Sequence, residues 1–166
     1  MRKSTAFDAF AAGSYQAFVP IGMILLRLIM GFLFFYAGWS KLTTEGWSAA
    51  RFLQNATGPF ASWFQGLAGS GVVDVLNMWG LTLIGVALIL GLLMRTASFF
   101  GIVVMGLYYV ADFVGNTAHG LIDEHIVYAS VLVFFLVGGF GHVWGLDALV
   151  EHRLDSRTKW IKIFLG

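Results

Sequence analysis

Residues 20–42 read PIGMILLRLIMGFLFFYAGWSKL, an apolar stretch in which one arginine stands at position 27. A guanidinium in hydrocarbon costs roughly 2.5–3.5 kcal/mol, so Arg27 is expected to face a protein interior or a water-filled cavity. Spacings of four, three, four and three residues place a set of side chains on one helix face: Arg27, Gly31, Phe34, Gly38 and Lys41. Because glycines let a neighbouring backbone approach closely, this face is predicted to pack against other helices.

The composition is that of an integral membrane protein. Hydrophobic residues make up 58% of the 166-residue chain, and charged residues make up only 11%. The chain contains no cysteine, which excludes disulfides, thiolate metal sites and iron–sulfur clusters held by this chain. The net charge is +1 and no basic stripe with interspersed aromatics occurs, so the expected partner is the lipid bilayer and not a nucleic acid.

Four apolar segments predict an all-α integral membrane fold, a four-transmembrane-helix antiparallel bundle that forms a single domain over residues 1–166. The predicted spans are residues 20–41, 76–94, 96–114 and 125–144. Residues 59–67, PFASWFQGL, carry apolar side chains at helical spacing behind a proline, and predict a short interfacial helix between the first two spans. Residues 148–166 form a basic amphipathic tail, and no removable signal peptide is expected.

Lysine and arginine residues set the predicted orientation, because cytoplasmic flanks of membrane spans carry an excess of them. One side of the bundle holds seven of these cations, namely Arg2, Lys3, Arg95, Arg153, Arg157, Lys159 and Lys162. The other side holds Lys41 and Arg51. The sequence therefore predicts a multi-pass protein of the plasma membrane with both termini in the cytoplasm.

The first candidate site surrounds Arg27. The antiparallel fourth span brings His142 and the glycine-rich segment 138–145 near the depth of Arg27, with Asp147 slightly nearer the cytoplasm. One interpretation is catalytic: Arg27 binds an anion or a quinone carbonyl, and His142 exchanges a proton. The other is structural: Arg27 binds backbone carbonyls that the glycines expose, pairs with Asp147, or extends to the interface.

The second candidate site lies at the opposite end of the bundle, where Lys41 is expected to meet a group of polar residues: Asp74, Asn77, Asp112 and His125. Three aromatic side chains at that level, those of Trp39, Trp79 and Tyr128, are candidates for stacking a quinone head group beside Lys41. The alternative for the aromatics is an ordinary interfacial belt.

A metal centre is not predicted. Histidines and carboxylates do gather between the third and fourth spans, at Asp112, His119, Asp123, Glu124 and His125. Their spacing matches no metal-binding motif, and two acidic residues are expected in the first turn of the fourth helix. We interpret them as a solvated loop and a helix cap.

Three segments resemble those of a known family and occur in the same order along the chain: RLIMGFLFFYAGWSKL, GVALILGLLMRTAS and YASVLVFFLVGGFGHVWGLDALVE. Over residues 22–151 they resemble the DoxX family of small four-helix membrane proteins, which includes the DoxD-type subunit of thiosulfate:quinone oxidoreductase. The positions that match the family pattern are Arg27, Gly31, Gly38, Lys41, Gly91, Arg95, Gly139, Gly141, Leu146 and Asp147. Relatives commonly have a glutamate near the start of the second span, where this chain has Asn77, so a proton-transfer role there is not expected.

The resemblance implies a membrane subunit of a quinone-linked oxidoreductase, whose polar interior binds a quinone head group or a small anion such as a sulfur oxyanion. No covalently bound cofactor is expected, and electrons would pass between bound substrates or arrive from a partner protein. The alternative is a non-catalytic accessory or scaffolding subunit of a larger membrane respiratory complex. Partners are therefore a quinone and other subunits of such a complex, or further copies of this chain. A small-solute transporter is disfavoured, because no inverted repeat or broken central helix is visible.

Overall fold

The computed structural model describes residues 18–118, 120–154 and 156–166, and all regular elements in these ranges are helices. Three of them are long and apolar enough to cross a membrane: α1 (Val19–Thr43), α4 (Gly71–Leu90) and α5 (Met94–Ala111). A shorter apolar helix, α7, covers Glu124–Val137. The remaining elements are α2 (Ala50–Gln54), α3 (Ala61–Gly66), α6 (Phe113–Asn116), α8 (Leu146–His152) and a 3-10 helix (Ser156–Ile163).

The predicted all-helical membrane fold is confirmed, and the first three predicted spans correspond to α1, α4 and α5. Large apolar side chains such as Ile29, Phe32, Leu83 and Phe99 are exposed on these helices. Hydrophobic side chains on the outside of helices of this length contact lipid. The molecule is therefore a multi-pass membrane protein.

The prediction of a continuous helix over residues 125–144 is wrong at its C-terminal end, because α7 stops at Val137. Gly138 caps the helix, and Gly139 adopts a left-handed backbone conformation with φ of +68°. Residues 138–145 form successive turns instead of helix. Their hydrophobicity resembles that of a span, but the left-handed glycine ends the helical hydrogen-bond pattern and frees carbonyl groups.

The helices pack in pairs, α1 along α4 and α5 along α7, with α4 and α5 joining the pairs. Glycines set the spacing of the first pair. A Cβ atom added at Gly31 would lie 2.9 Å from the backbone nitrogen of Ile89, and one added at Gly38 would lie 2.8 Å from the carbonyl oxygen of Met78. Both glycines therefore lie at close backbone contacts with α4, on the same face as buried Arg27 and Phe34.

Two apolar clusters hold the chain together. The larger one lies between the long helices and includes Phe34, Leu88 and Phe135, all of which are completely buried. The smaller one lies where α2 and α3 pack against the end of α5, and includes Leu53, Phe64 and Ala111. The connection between α1 and α4 is thus a packed cap over one end of the bundle.

Candidate functional site

The two ends of the bundle carry different chemistry. Arg27 and Lys41 are fourteen residues apart on α1, which is about 21 Å along a helix. We call the end that holds the α4–α5 loop and the chain after α7 the Arg27 end. The Lys41 end holds the α1–α4 and α5–α7 connections.

At the Arg27 end, the guanidinium is buried and only 3% of the residue is exposed. Nη1 donates hydrogen bonds to the carbonyl oxygens of Phe140 at 2.9 Å and Val143 at 2.8 Å, and Nη2 donates to that of Trp144 at 3.1 Å. These carbonyls belong to the turns that follow α7. The planar guanidinium of Arg27, which has several N–H donors, therefore binds backbone carbonyl groups that have no hydrogen-bond partner within a helix.

Asp147 has the complementary role, because its fully buried carboxylate accepts hydrogen bonds from three backbone N–H groups. Oδ1 accepts from Leu93 at 2.7 Å, and Oδ2 accepts from Met94 and Gly166, each at 3.0 Å. Leu93 and Met94 form the N-terminus of α5, where unsatisfied N–H groups and the helix dipole both favour a carboxylate. Asp147 thus joins α5, α8 and the C-terminal segment.

Glycines allow these two buried charges to lie in one small volume. Gly91 has a φ of +62°, and a Cβ atom there would lie 2.6 Å from Nη1 of Arg27. A Cβ atom at Gly141 would lie 2.9 Å from the Cβ of Asp147. Among the described residues, Arg27 and Asp147 form no direct ion pair within 4 Å. The Arg27 end is a packing centre in which both charges bind backbone.

The imidazole of His142 contacts a different group, the carboxylate of Glu151, which also accepts a hydrogen bond from Lys162 Nζ at 2.5 Å. These three side chains line a small cleft of about 250 Å³. The structure therefore does not bring the side chains of Arg27 and His142, the predicted catalytic pair, to a common ligand. Arg95, the other cation predicted to be structural at this end, is exposed.

Hydrogen bonds from Lys162 and His142 lower the pKa of Glu151 to about 2. Because the folded-state pKa lies below its ordinary value, the stabilisation is complete above about pH 4.5 and is lost as the pH falls toward 2. We expect the 3-10 helix to detach from α8 in that acidic range. Hydrogen exchange of residues 156–166 would detect this as faster exchange. Glu151→Gln should give the fast exchange already at pH 7, and unchanged exchange in that variant would contradict the role of this cluster.

At the Lys41 end, the structure contains a cavity of about 570 Å³, which we call the Lys41 cavity. Its lining includes side chains from α1, α4, α5, α7 and the α1–α4 connection, namely Lys41, Asn77, Tyr108, His125 and Trp47. The other lining residues are Ser48, Ala49, Arg51, Phe52 and Asn55. Four of the longer helices and the α1–α4 connection therefore converge on one space.

Hydrogen-bond donors face this space from three helices. Lys41 Nζ donates to the carbonyl oxygen of Ala37 at 2.9 Å and lies 5.5 Å from the ring centroid of Trp47, within cation–π range. The hydroxyl of Tyr108 donates to Asn77 Oδ1 at 2.9 Å. An ammonium has three N–H groups and an amide nitrogen has two, so Lys41 and Asn77 retain donors for a ligand.

His125 adds a proton-exchanging group to the cavity. Its Nδ1 lies 2.5 Å from Asp123 Oδ2, and its ring meets the Tyr108 ring edge to face at 5.9 Å. Asp123 is also the N-cap of α7 and accepts from the Ile126 N–H at 3.1 Å. Desolvation raises the pKa of Asp123, but hydrogen bonds from His125 and Ile126 outweigh it and lower that pKa overall. An ionised Asp123 orients the imidazole and leaves Nε2 for another partner.

Of the other residues predicted for this site, none lines the Lys41 cavity. Trp39 and Trp79 are half exposed on the outside of the bundle, and Tyr128 packs against the large apolar cluster. Asp112 accepts from the Thr57 hydroxyl at 3.2 Å, and Asp74 accepts from the Ala49 N–H at 2.8 Å. Tyr108 and Trp47 line the cavity, whereas their place among the aromatics of the sequence indicates only an interfacial belt.

Residues 1–17, which include Arg2 and Lys3, and His119 lie outside the described residues. Within the described ranges, no group of three histidine or acidic side chains is arranged to hold a metal ion. The nearest arrangement of such groups at the Lys41 end is the His125–Asp123 pair.

An apolar chamber of about 290 Å³ adjoins the Lys41 cavity. The two spaces share four lining residues, Ala49, Phe52, Asn77 and Tyr108. The rest of the chamber is lined by hydrophobic side chains from α2, α3, α4 and α5. A space lined in part by the polar side chains of Lys41, Asn77 and His125 thus lies beside an almost wholly apolar one, which is an arrangement that suits an amphipathic ligand.

The family model described as DoxX matches residues 22–114, more than half of the chain. The chain belongs to the DoxX family. The resemblance seen in the sequence is thereby confirmed, and the matched range includes Arg27, Lys41, Asn77 and Tyr108. His125 and Asp147 follow the range that the DoxX model covers. No curated protein and no solved structure matches the chain.

Proposed function

We propose that this DoxX-family chain binds the head group of a lipid-soluble quinone in the Lys41 cavity, as a membrane subunit of a quinone-linked oxidoreductase. The observation that carries the proposal is the junction of the Lys41 cavity with the apolar chamber. A cavity of about 570 Å³ lies within the range of roughly 300–1,000 Å³ that is usual for small-molecule sites.

The lining chemistry favours a ligand that accepts hydrogen bonds. Lys41 and Arg51 are cations, Asn77 keeps its amide donors, and none of the described residues that line the cavity carries a carboxylate. Quinone carbonyls accept hydrogen bonds, and a reduced quinone bears developing negative charge that an ammonium stabilises. A sulfur oxyanion would fit the same cations as a co-substrate, but it would make no use of the apolar chamber.

Quinone reduction takes up two electrons and two protons, and the cavity supplies groups for the protons only. His125, held by Asp123 through Nδ1, is the residue that we assign to proton exchange through Nε2. Lys41 donates a hydrogen bond to the quinone carbonyl and stabilises its developing negative charge. The electrons come from a partner protein or from a co-bound reductant, since the proposal gives this chain no redox cofactor of its own.

The proposal includes a membrane placement. α7 and the turns after it act as the fourth span, because fourteen helical residues reach about 21 Å and residues 138–144 extend this toward the cytoplasm. The half-exposed rings of Phe60 and Trp63 support a position of α3 in the outer interface. Both termini are cytoplasmic in the plasma membrane, so the Lys41 cavity opens on the outer side.

We expect Lys41→Gln to weaken quinone binding by about 10- to 100-fold, because a hydrogen bond to a charged group contributes roughly 1.5–3 kcal/mol. The measurement is a titration of the purified protein in nanodiscs with a quinone, together with extraction and quantification of the quinone that co-purifies. Lys162→Gln is the matched control, since it removes a lysine from the Arg27 end. Equal affinity of the two variants would contradict the head-group site.

An accessory role is favoured by one observation: the buried charges at the Arg27 end are occupied by backbone groups. Charges used in this way fix helix packing and need no substrate. On this second proposal the wild-type chain purifies with other polypeptides, carries no quinone, and loses no binding in Lys41→Gln. Near-stoichiometric quinone in the chain purified alone would instead support the oxidoreductase role.

A further inference from the structure

An apolar groove of about 610 Å³ runs along the outside of the bundle between α3 and α5. Phe60 and Trp63 border it on one side, and Val103, Gly106 and Val110 border it on the other. Gly106 leaves the groove open, since a Cβ atom there would have no neighbour within 4 Å. The groove lies on the membrane-facing surface of a spanning helix, where only a hydrophobic occupant is favoured.

The groove, the apolar chamber and the Lys41 cavity follow one another in space. Trp63, Phe64 and Leu107 line both the groove and the chamber. Phe52 and Tyr108 line both the chamber and the Lys41 cavity. Side chains of α2, α3 and α5, together with Asn77 of α4, thus lie between the lipid-facing groove and the Lys41 cavity, and polar side chains become more frequent along that route.

We propose that these three spaces form one binding site for a polyprenyl quinone, whose head lies at Lys41 and whose chain leaves between α3 and α5 into the bilayer. The proposal rests on the proposed function and extends it to the chain of the ligand. Charge and polarity select the direction: cations and amide donors lie at the inner end, and hydrophobic side chains line the groove. The ligand therefore enters from the lipid and not from water.

This occupant suits the route better than a phospholipid does. Aromatic side chains stand at each boundary, Phe64 beside the groove and Phe52 with Tyr108 beside the cavity. A single polyprenyl chain passes between such rings more readily than the paired acyl chains of a phospholipid. The exposed indole of Trp63 lies at the mouth of the groove, where it packs against the departing chain.

The test is a Gly106→Leu variant, which fills the groove without touching the Lys41 cavity. Gly80→Leu on α4 is the matched control, because a Cβ atom at Gly80 also meets nothing within 4 Å and Gly80 lines none of the three spaces. Two probes are titrated in nanodiscs: a quinone with a long polyprenyl chain, and the same head group without a chain.

We expect Gly106→Leu to weaken binding of the long-chain quinone by about tenfold or more and to leave the chainless head group unaffected. Gly80→Leu should change neither. Equal loss or equal retention of both probes in Gly106→Leu would overturn the lateral route. If the wild-type protein binds neither probe, the proposed function itself fails. Phospholipid recovered from the groove in place of quinone would overturn the assigned occupant.

A second variant tests whether the effect of Gly106→Leu comes from a narrowed groove or from misfolding. Val103→Phe also narrows the groove, from a position that lines the groove and neither of the other two spaces. It should show the same split between the two probes. Thermal unfolding of all three variants identifies any that are misfolded, and a folded Val103→Phe that binds both probes like wild type would count against the proposal.

Discussion

Arg27→Ala is expected to lower the free energy of unfolding by about 3 kcal/mol or more. The change removes the donors for three carbonyl oxygens, those of Phe140, Val143 and Trp144. The carbonyl of Phe140 is buried and those of Val143 and Trp144 are partly buried. A buried acceptor left without a partner costs roughly 1–3 kcal/mol, and a partly buried one costs less. The loss of the buried charge offsets part of this cost, because the guanidinium no longer has to be desolvated.

The measurement is denaturant or thermal unfolding in detergent micelles. Arg153→Ala is the matched control, because Arg153 is exposed at the same end of the bundle and its removal should cost little. Arg27→Lys should recover only part of the stability, since a compact ammonium lacks the planar fork that reaches several carbonyls at once. Equal unfolding of Arg27→Ala and Arg153→Ala would contradict the packing role.

The same variant separates structure from chemistry. Arg27 lies about 21 Å from Lys41 along α1, so quinone affinity per folded molecule should be unchanged in Arg27→Ala. A catalytic role of the Arg27 end, which is one of the two interpretations of its sequence, requires the opposite result. If Arg27→Ala loses quinone affinity in a sample whose folded fraction has been measured, the quinone site lies at the Arg27 end.

The buried face of α1 was predictable because its signal is periodic. Residues at spacings of three and four share a helix face whatever the neighbouring helices are, and Arg27, Gly31 and Gly38 are indeed buried together. Span length is similarly robust, since about twenty apolar residues are needed to cross the bilayer. Both properties belong to a single helix and need no knowledge of the rest of the fold.

The end of the fourth apolar segment was not predictable in this way. Phe140, Val143 and Trp144 keep the segment hydrophobic beyond Val137, so hydropathy continues where the helix does not. The break depends on a left-handed backbone at Gly139 and on a distant guanidinium that donates hydrogen bonds to the freed carbonyls. A helix boundary fixed by a residue more than a hundred positions away leaves little local signal.

The level of the residues around Lys41 in the membrane could be predicted from the sequence, but the directions in which their side chains point could not. Counting residues along antiparallel helices gives the level of a side chain in the membrane, which is why Lys41, Asn77 and His125 could be grouped. It does not give the rotation of each helix. Trp39 and Trp79 lie at a suitable level yet point outward, and Tyr108 points inward to Asn77.

His142 illustrates the same limit at the other end. Its backbone lies between Phe140 and Val143, whose carbonyls bind Arg27. Its ring, however, turns away to Glu151 on α8. The turn therefore brings the carbonyls of neighbouring residues to Arg27 and leaves the imidazole elsewhere, because backbone and side chain point in different directions in a tight turn.

Asp147→Asn is the second large effect, and it tests whether a carboxylate organises the Arg27 end. The carboxylate accepts from Leu93, Met94 and Gly166, whereas an amide has one acceptor oxygen and would turn an NH₂ group toward N–H donors. Hydrogen bonds to charged groups contribute roughly 1.5–3 kcal/mol each. We therefore expect the free energy of unfolding to fall by about 2 kcal/mol or more despite the nearly unchanged shape.

A local readout separates this role from general packing. Hydrogen exchange should accelerate most at the start of α5 and in residues 164–166, the segments whose N–H groups Asp147 accepts, and least at the Lys41 end. Asp112→Asn is the control, since Asp112 is only partly buried and accepts a hydrogen bond from the Thr57 hydroxyl. If both variants lose equal stability, or if exchange at the start of α5 stays slow in Asp147→Asn, the carboxylate is not what holds α5, α8 and the C-terminal segment together.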